Sequence, residues 1–193
     1  MTLIYGTHGT SRSFAEDIRN NGFDRQRLAP GRHGSGVYLW AYDLNTSGTK
    51  DRAIKIAKSW HSLRFAKGVY NECSKKSCAV LDCKANVILL DIVNHENANI
   101  FRTYIEASME RIEKLRLTGK NIEEQKATRL YGLFVKLMSQ QHDKSYNAVH
   151  VLTTSPIKER VANWQRFQQV DLESCYVIHD TNAVNVLDLT PVP

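Results

Sequence analysis

Proline, glycine and cysteine are all scarce in this chain, which has 4, 10 and 4 of them among its 193 residues. The low proline and glycine contents argue against collagen-like, low-complexity or linker-rich sequence. The chain also contains no internal repeat. It also lacks an uninterrupted apolar run of about 18 residues, which a membrane-spanning helix needs. We therefore expect one globular domain over residues 1–193, with no membrane partner.

The cysteines are too few and too unevenly placed for the disulfide framework of a small secreted protein. Three of them, Cys73, Cys78 and Cys83, are separated by four residues each. Zinc sites use cysteine pairs with about two intervening residues, so we expect free thiols and no metal site. Residues 1–6 also lack the basic and apolar segments of a secretory signal, and the sequence therefore favours a cytoplasmic location.

The charge balance is basic, because Lys and Arg number 26 against 20 Asp and Glu, a formal net charge of +6. Such a balance is compatible with simple solubility, or with a polyanionic partner such as nucleic acid or a phosphate-bearing cofactor. Basic residues do not form a dense block anywhere in the chain. Across residues 97–138 they alternate with acidic residues, a pattern typical of a solvated helical face.

Apolar residues recur with helical spacing in some segments and with strand-like alternation in others. Helices are predicted at 13–21, 50–60, 97–117 and 122–138, with a break at 118–119. Strands are predicted at 2–5, 36–40, 79–83, 87–92, 148–152, 175–180 and 184–189, and a polar loop at 155–169. Several strands follow each other without an intervening helix, which favours an α+β fold over a doubly wound parallel sheet. The helices of about 97–138 are predicted to form an insert in the single domain.

Two segments near the start of the chain carry most of the functional information. Residues 6–10, Gly-Thr-His-Gly-Thr, place His8 between two glycines after a short apolar run. Residues 31–40, Gly-Arg-His-Gly-Ser-Gly-Val-Tyr-Leu-Trp, form a glycine-rich turn that leads into an alternating aromatic strand. Together they provide an imidazole, a backbone that a ligand can approach closely and an aromatic ring for stacking. These features predict a nucleotide-binding pocket.

With a third segment, residues 173–180, they resemble the ADP-ribosyltransferase superfamily, in the branch of diphtheria toxin and the poly(ADP-ribose) polymerases. In that branch a strand ends in His-Gly-Ser/Thr, a Gly-x-Gly-(Ile/Val)-Tyr strand follows, and a late strand carries a Glu. Gly22-Phe23 stands where the branch has a Gly-Phe or Gly-Leu pair. The resemblance covers about residues 1–60 and 169–193. It implies an ADP-ribosyltransferase-like fold, with two small antiparallel sheets opposed around an NAD cleft that the helical insert covers on one side.

The resemblance implies that NAD is the substrate cofactor and that five residues bind it: His8, Gly9, Thr10, Gly36 and Tyr38. A ring nitrogen of His8 can hydrogen bond a ribose hydroxyl. The backbone of Gly9 is expected to bind the carboxamide of nicotinamide, and the ring of Tyr38 to stack against it. Stacking geometry of this kind is worth about 0.5–1.5 kcal/mol.

The resemblance also implies a second aromatic side chain that contacts the nicotinamide ring, and Trp60 or Tyr70 is expected to supply it.

The expected catalytic residues are Glu173 and Tyr38. The nicotinamide–ribose bond breaks through an oxocarbenium-like state, which a nearby carboxylate stabilises. When residues 176–180 are aligned with the branch, Cys175 falls in the column of its catalytic Glu, so the sequence departs from the pattern there. Glu173 lies two residues earlier on the same face of the predicted strand and is the carboxylate expected to reach the cleft.

The activity implied is the transfer of one ADP-ribose from NAD to a macromolecular acceptor, with RNA or DNA slightly favoured over protein by the basic charge. A compact basic domain of this kind resembles bacterial or phage-related intracellular toxins, including toxin–antitoxin and antiphage components. An antitoxin or another regulatory protein is therefore an expected partner. Two alternatives remain open. One is a catalytically inactive module that binds NAD or ADP-ribose, and the other is an NAD-dependent RNA 2′-phosphotransferase.

Overall fold

The computed structural model describes residues 1–28, 30–118, 121–157 and 172–192. In this part of the chain strands and helices mix without regular alternation, and the α+β prediction is confirmed. The helices are α1 (Arg12–Asn21), α2 (Thr49–Ala66), α3 (His95–Glu113) and α4 (Ile122–His142). The strands are β1 (Thr2–Ser11), β2 (Val37–Tyr42), β3 (Cys78–Val87), β4 (Leu89–Asp91), β5 (Ala148–Thr154), β6 (Leu172–Ile178) and β7 (Val184–Pro191). Most of the predicted loop at 155–169 lies outside the described residues.

The seven strands belong to one mixed sheet in the order β4-β5-β6-β2-β1-β3-β7. Only β4 and β5 run parallel to each other, and the other neighbours are antiparallel. The expectation of two separate antiparallel sheets is therefore corrected to one sheet. The physical reason lies in β1, which pairs with β3 along its whole length and with β2 through Tyr5, Gly6 and Thr7 on its other side.

This sheet must curl, because β3 and β4 are separated by Ile88 alone and yet occupy distant places in the strand order. Consecutive Cα atoms are about 3.8 Å apart, so the end of β3 and the start of β4 lie at one corner. Asn147 closes that corner. The side-chain oxygen of Asn147 accepts from the backbone N–H of Ile88 at 2.8 Å, and the backbone N–H of Asn147 donates to the carbonyl of Ile88 at 3.1 Å.

Helix α1 lies within one residue of its predicted bounds, whereas helix α2 extends beyond its predicted end. The hydroxyl of Ser11 accepts from the amide of Phe14 at 3.3 Å, which makes Ser11 the N-cap of α1. Gly22 follows that helix with φ of 80°, as its predicted stop requires. Helix α2 continues beyond the predicted end at Trp60, because its buried face extends to His61 and the first left-handed residue after it is Gly68, with φ of 73°.

The helices cover the sheet unequally. Helices α2, α3 and α4 pack on the face of the sheet that includes Trp40 and Val177, which we call the α2 face. Helix α1 packs on the opposite face, which includes Leu39 and Ile178 and which we call the α1 face. The helices predicted as an insert belong to the main core, since Phe134 of α4 is completely buried among residues of the sheet.

Gly9 and Gly36, which are predicted to bind NAD, lie where the structure leaves no room for a side chain. A Cβ atom on Gly9 would lie 2.0 Å from the carbonyl oxygen of Ala57 in α2. A Cβ atom on Gly36 would lie 2.7 Å from the carbonyl oxygen of Ile178 in β6. Both obstacles are backbone atoms, which cannot move aside as a flexible side chain can. Glycine at these positions therefore allows α2 and β6 to pack closely.

We expect Gly9→Ala to lower the free energy of unfolding by about 1–3 kcal/mol or more, because the added methyl group overpacks the contact with Ala57. The matched control is Gly132→Ala in α4, where a Cβ atom has nothing within 4 Å. This second change should stabilise the protein by about 0.5–1 kcal/mol, since alanine favours the helix more than glycine does. Urea unfolding of both variants measures the contrast, and equal stability of Gly9→Ala and the parent would contradict the packing argument.

Candidate functional site

The three sequence segments occupy three neighbouring strands. His8, Gly9 and Thr10 lie on β1, Tyr38 lies on β2, and Glu173 lies on β6. These strands are adjacent in the order β6-β2-β1, so the fold brings together residues from the two ends of the chain. Gly36, the remaining candidate, directly precedes β2.

His8 joins β1 to β2 where their regular pairing ends. The last register pair between the two strands is Thr7 with Trp40. Beyond it, Nδ1 of His8 lies 3.0 Å from the backbone oxygen of Tyr38. A carbonyl oxygen only accepts, so Nδ1 carries the proton and Nε2 of the neutral ring is an acceptor. Burial lowers the pKa of His8, with the hydrogen bond to Tyr38 acting in the opposite direction, and the ring therefore stays neutral at physiological pH.

The side chains of His8 and Tyr38 lie on opposite faces of the sheet. The His8 ring meets Phe23 edge-on at 5.3 Å between ring centroids, and Phe23 packs into the core of the α1 face. The ring of Tyr38 packs into the core of the α2 face. The contact between the two candidates is thus made through the backbone of Tyr38 and not through its ring.

The ring of Tyr38 is covered by the glycine-rich turn that precedes its own strand. Its hydroxyl accepts from the amide of His33 at 2.9 Å and donates to the carbonyl of Gly34 at 2.8 Å. A Cβ atom on Gly31 would lie 2.4 Å from the same hydroxyl oxygen, so the turn rests directly on the ring. Burial raises the pKa of Tyr38 well above its usual range. A ligand can stack on this ring only after the turn moves.

Glu173 projects from β6 onto the α2 face, where it forms an ion pair with Arg52 of α2. The Nε atom of Arg52 also donates to Glu173 Oε1 at 3.1 Å, and the side chain of Glu173 is only 12% exposed. Tyr38 pairs with Val177, four residues further along β6, so Glu173 lies about 13 Å away along the strand. The two expected catalytic residues therefore share a face of the sheet without touching.

Cys175, which stands in the column of the family's Glu, is completely buried between these positions. Burial raises the pKa of its thiol far above the ordinary value, so it remains a neutral core residue. Glu173 is therefore the carboxylate closest along β6 to the position that the resemblance assigns to a catalytic Glu.

The remaining aromatic candidates pack in or against the core, Tyr70 as a buried side chain and Trp60 as a half-buried one. Tyr70 is buried, stacks on His61 at 5.0 Å between ring centroids and hydrogen bonds Thr10. Trp60 meets Trp40 edge-on at 6.3 Å between centroids on the α2 face. In this conformation both rings pack against protein groups.

Sequence reasoning missed Arg52, the partner of Glu173, because 121 positions separate them in the chain and no local spacing connects them. It also missed the contact of His33 with helix α4, where Nδ1 lies 2.9 Å from the hydroxyl of Tyr131. This contact fastens the glycine-rich turn to the helices that were expected to cover one side of the cleft.

Other features of the described residues lie away from these candidates. A cleft of about 510 Å³ between α3 and α4 is lined by Arg111, Ile112, Leu115, Thr128, Arg129, Gly132 and Leu133, none of which is a candidate. The cysteines are free thiols, and no group of three or more His, Cys, Asp or Glu side chains within the described ranges is placed to hold a metal ion. None of the helices described is both long and apolar enough to cross a bilayer.

Comparisons with protein-family models, with curated proteins and with solved structures each give no match.

The glycine-rich turn should make stability depend on pH. Burial, with a smaller contribution from the charge of Arg32, lowers the pKa of His33 from 6.5 to about 4. Between these values the unfolded chain binds a proton that the folded protein does not, so stability is lost as the pH falls through this window. Above 6.5 the group is neutral in both states and contributes nothing to the pH dependence.

We expect the free energy of unfolding, measured with urea, to fall between pH 7.5 and pH 5, and His33→Gln to reduce this fall. His95→Gln is the matched control, because His95 is exposed on the first turn of α3. A fall of the same size in His33→Gln and in the parent protein would show that His33 is not the group responsible.

Proposed function

We propose that this protein transfers one ADP-ribose from NAD to a macromolecular acceptor and releases nicotinamide. The observation that carries the proposal is the adjacency of β1, β2 and β6, which unites the three segments of the resemblance on neighbouring strands. Segments far apart in sequence have no local reason to become neighbours. Their adjacency supports a shared site at the point where β1 and β2 separate, which must reach both faces of the sheet because His8 lies on the α1 face and Tyr38 and Glu173 lie on the α2 face.

Binding begins where β1 and β2 separate. The ladder between them reaches Thr7 and Trp40, and β1 then continues through Gly9 and Thr10 without further pairs to β2 in the described residues. Nδ1 of His8 donates its proton in a hydrogen bond to the carbonyl of Tyr38, so Nε2 is the ring atom that can accept a hydrogen bond from a ribose hydroxyl. The nicotinamide ring stacks on Tyr38 after the glycine-rich turn moves.

Displacing that turn breaks the hydrogen bonds between Tyr38 and residues His33 and Gly34. Each is worth a net amount of about 0.5–1.5 kcal/mol, so the movement costs about 1–3 kcal/mol, and ligand stacking offsets part of this cost. Gly34 has φ of 102°, which only glycine adopts readily, and it gives the turn a backbone that can change conformation.

In this proposal Glu173 supplies the negative charge that stabilises the positively charged ribose as the nicotinamide leaves. This role requires NAD to draw Tyr38 and Glu173 closer together than the distance of about 13 Å that separates their positions along β6 in this conformation. While it is paired with Arg52, much of that charge is neutralised. The side chain of Arg52 is 46% exposed, and its guanidinium can rotate to bind the diphosphate of NAD, for which its planar donor fork is well suited. Binding of the substrate thereby frees the carboxylate for its role.

The first test is incubation of the purified protein with NAD labelled in its ADP-ribose part and with a cell lysate, which is then separated into protein and nucleic-acid fractions. Glu173→Gln should lower incorporation by about 100-fold or more, the scale of losing one electrostatic contact to a transition state. Glu110→Gln is the control, because Glu110 is an exposed residue of α3 paired with Lys114. Label that is equal in the parent and in Glu173→Gln, or absent from both fractions, would contradict the proposal.

The second test concerns binding. His8→Ala should weaken the affinity for NAD by about 10-fold, measured by calorimetry, because one hydrogen bond of about 1–1.5 kcal/mol is lost. His95→Ala, on the exposed start of α3, should leave the affinity unchanged. Circular dichroism establishes that both variants are folded. An unchanged affinity in a folded His8→Ala protein would remove His8 from the site.

A further inference from the structure

A second cluster of chemically active side chains lies on the α1 face, at β4, β5 and β6. Nε2 of His150 is 2.7 Å from Oγ of Ser174, and Nδ1 of His150 is 2.9 Å from Oδ1 of Asp91. Asp91 ends β4 and is the register partner of His150 on β5, while Ser174 lies on β6 at the other side of β5. Three adjacent strands therefore align a serine, a histidine and an aspartate in one chain of hydrogen bonds.

The partners determine which atom donates in each bond. An ionised carboxylate only accepts, so Nδ1 of His150 donates to Asp91. In the neutral ring Nε2 then lacks a proton and accepts from the hydroxyl of Ser174. This is the tautomer in which an imidazole can remove the proton of a serine while an aspartate orients the ring.

The histidine is held in place from several sides. The amide of Val93 donates to Asp91 Oδ1 at 3.0 Å and fixes the carboxylate. The ring of Tyr176, the register partner of His150 on β6, lies 5.0 Å from the imidazole between centroids. The side chain of His150 is only 18% exposed. Its orientation toward Ser174 is therefore set by packing as well as by hydrogen bonds.

The surface beside the serine is accessible and apolar. Leu152 is the register partner of Ser174 and is 44% exposed. Leu172, two residues before Ser174 on the same face, is 41% exposed. Helix α1 lies on the same face but packs against β1, β3 and β7, at the opposite end of the strand order from β5 and β6, so it does not cover Ser174. A small molecule with an apolar group can thus reach Ser174 and rest against the two leucines.

We propose that Ser174 is a nucleophile that accepts the acyl group of a carboxylic ester with an apolar acyl chain. Its Oγ bonds to the acyl carbon, its proton passes to Nε2 of His150, and the ester C–O bond breaks as the leaving alcohol takes up that proton. Water then attacks the acyl-serine in the same way, so that the carboxylic acid leaves and Ser174 regains its proton. This activity is independent of ADP-ribosyl transfer, because Ser174 and the preceding Glu173 point to opposite faces of β6.

The two steps should differ in speed. The amides of a strand lie in the plane of its sheet and do not point out of the face where Ser174 lies. An oxyanion-hole donor contributes about 100- to 1,000-fold to the rate of acyl transfer. Without such a donor both steps lose this contribution. An activated ester should still acylate Ser174, because its alcohol is a good leaving group, whereas hydrolysis of the acyl-serine expels the poorer serine alkoxide and should be slow, which gives a burst of product followed by a low steady rate.

The test uses the full chain and p-nitrophenyl butyrate. We expect a burst of about one equivalent of p-nitrophenolate, with the butyryl group located on Ser174 by mass spectrometry of its peptides. Ser174→Ala should abolish the burst, and His150→Gln should slow it by about 100-fold or more through loss of the general base. Ser62→Ala, an exposed serine of α2, is the matched control and should acylate like the parent.

Circular dichroism and the urea midpoint establish that each variant is folded. Asp91→Asn keeps the size of the side chain and should also slow the burst, because the ring is then no longer held in the reactive tautomer. Butyryl groups found only on lysines or the N-terminus, a burst that persists in Ser174→Ala, or the absence of any burst in the parent would each overturn the proposal.

Discussion

The hydrogen bonds between Asn147 and Ile88 close the corner on which the rest of this structure depends. They fix the point where the chain leaves β3 for β4, and β4 pairs at the far end of the strand order. The carbonyl of Asn147 also accepts from the amide of His179 at 2.8 Å, just after β6. One residue therefore connects β3, β5 and β6, and the curl of the sheet follows from that connection.

This arrangement places two sets of polar side chains on opposite faces of the central strands. Strand β6 lies between β5 and β2 and places consecutive residues on opposite faces. On the α2 face Glu173 meets Arg52, and on the α1 face Ser174 meets His150. The helices bury most of the first surface, whereas the second is open beside two leucines. The same strand thus contributes to a shielded ion pair on one face and to an accessible serine–histidine contact on the other.

The four α-helices and the seven strands were each predictable in type from apolar spacing, but several of their lengths were not. Strand β1 was expected to end at Tyr5 and continues to Ser11, because glycines and polar residues there pair with β3 and supply no apolar alternation. The roles of glycines were only half predictable. Gly9 and Gly36 were identified as positions of close approach, but the approaching groups are the backbones of Ala57 and Ile178.

The sequence by itself determined the α+β class and the order of the elements, because these depend on local spacing and residue chemistry, while the resemblance of its motifs gave His8, Tyr38 and Glu173 as candidate site residues. Only the tertiary structure decided the single curled sheet, the turn that rests on Tyr38, the pairing of Glu173 with Arg52 and the alignment of Ser174, His150 and Asp91. Each of these joins residues from different elements, and strand register together with helix packing sets such contacts. Neither strand register nor helix packing produces a periodic pattern in the sequence from which such contacts could be predicted.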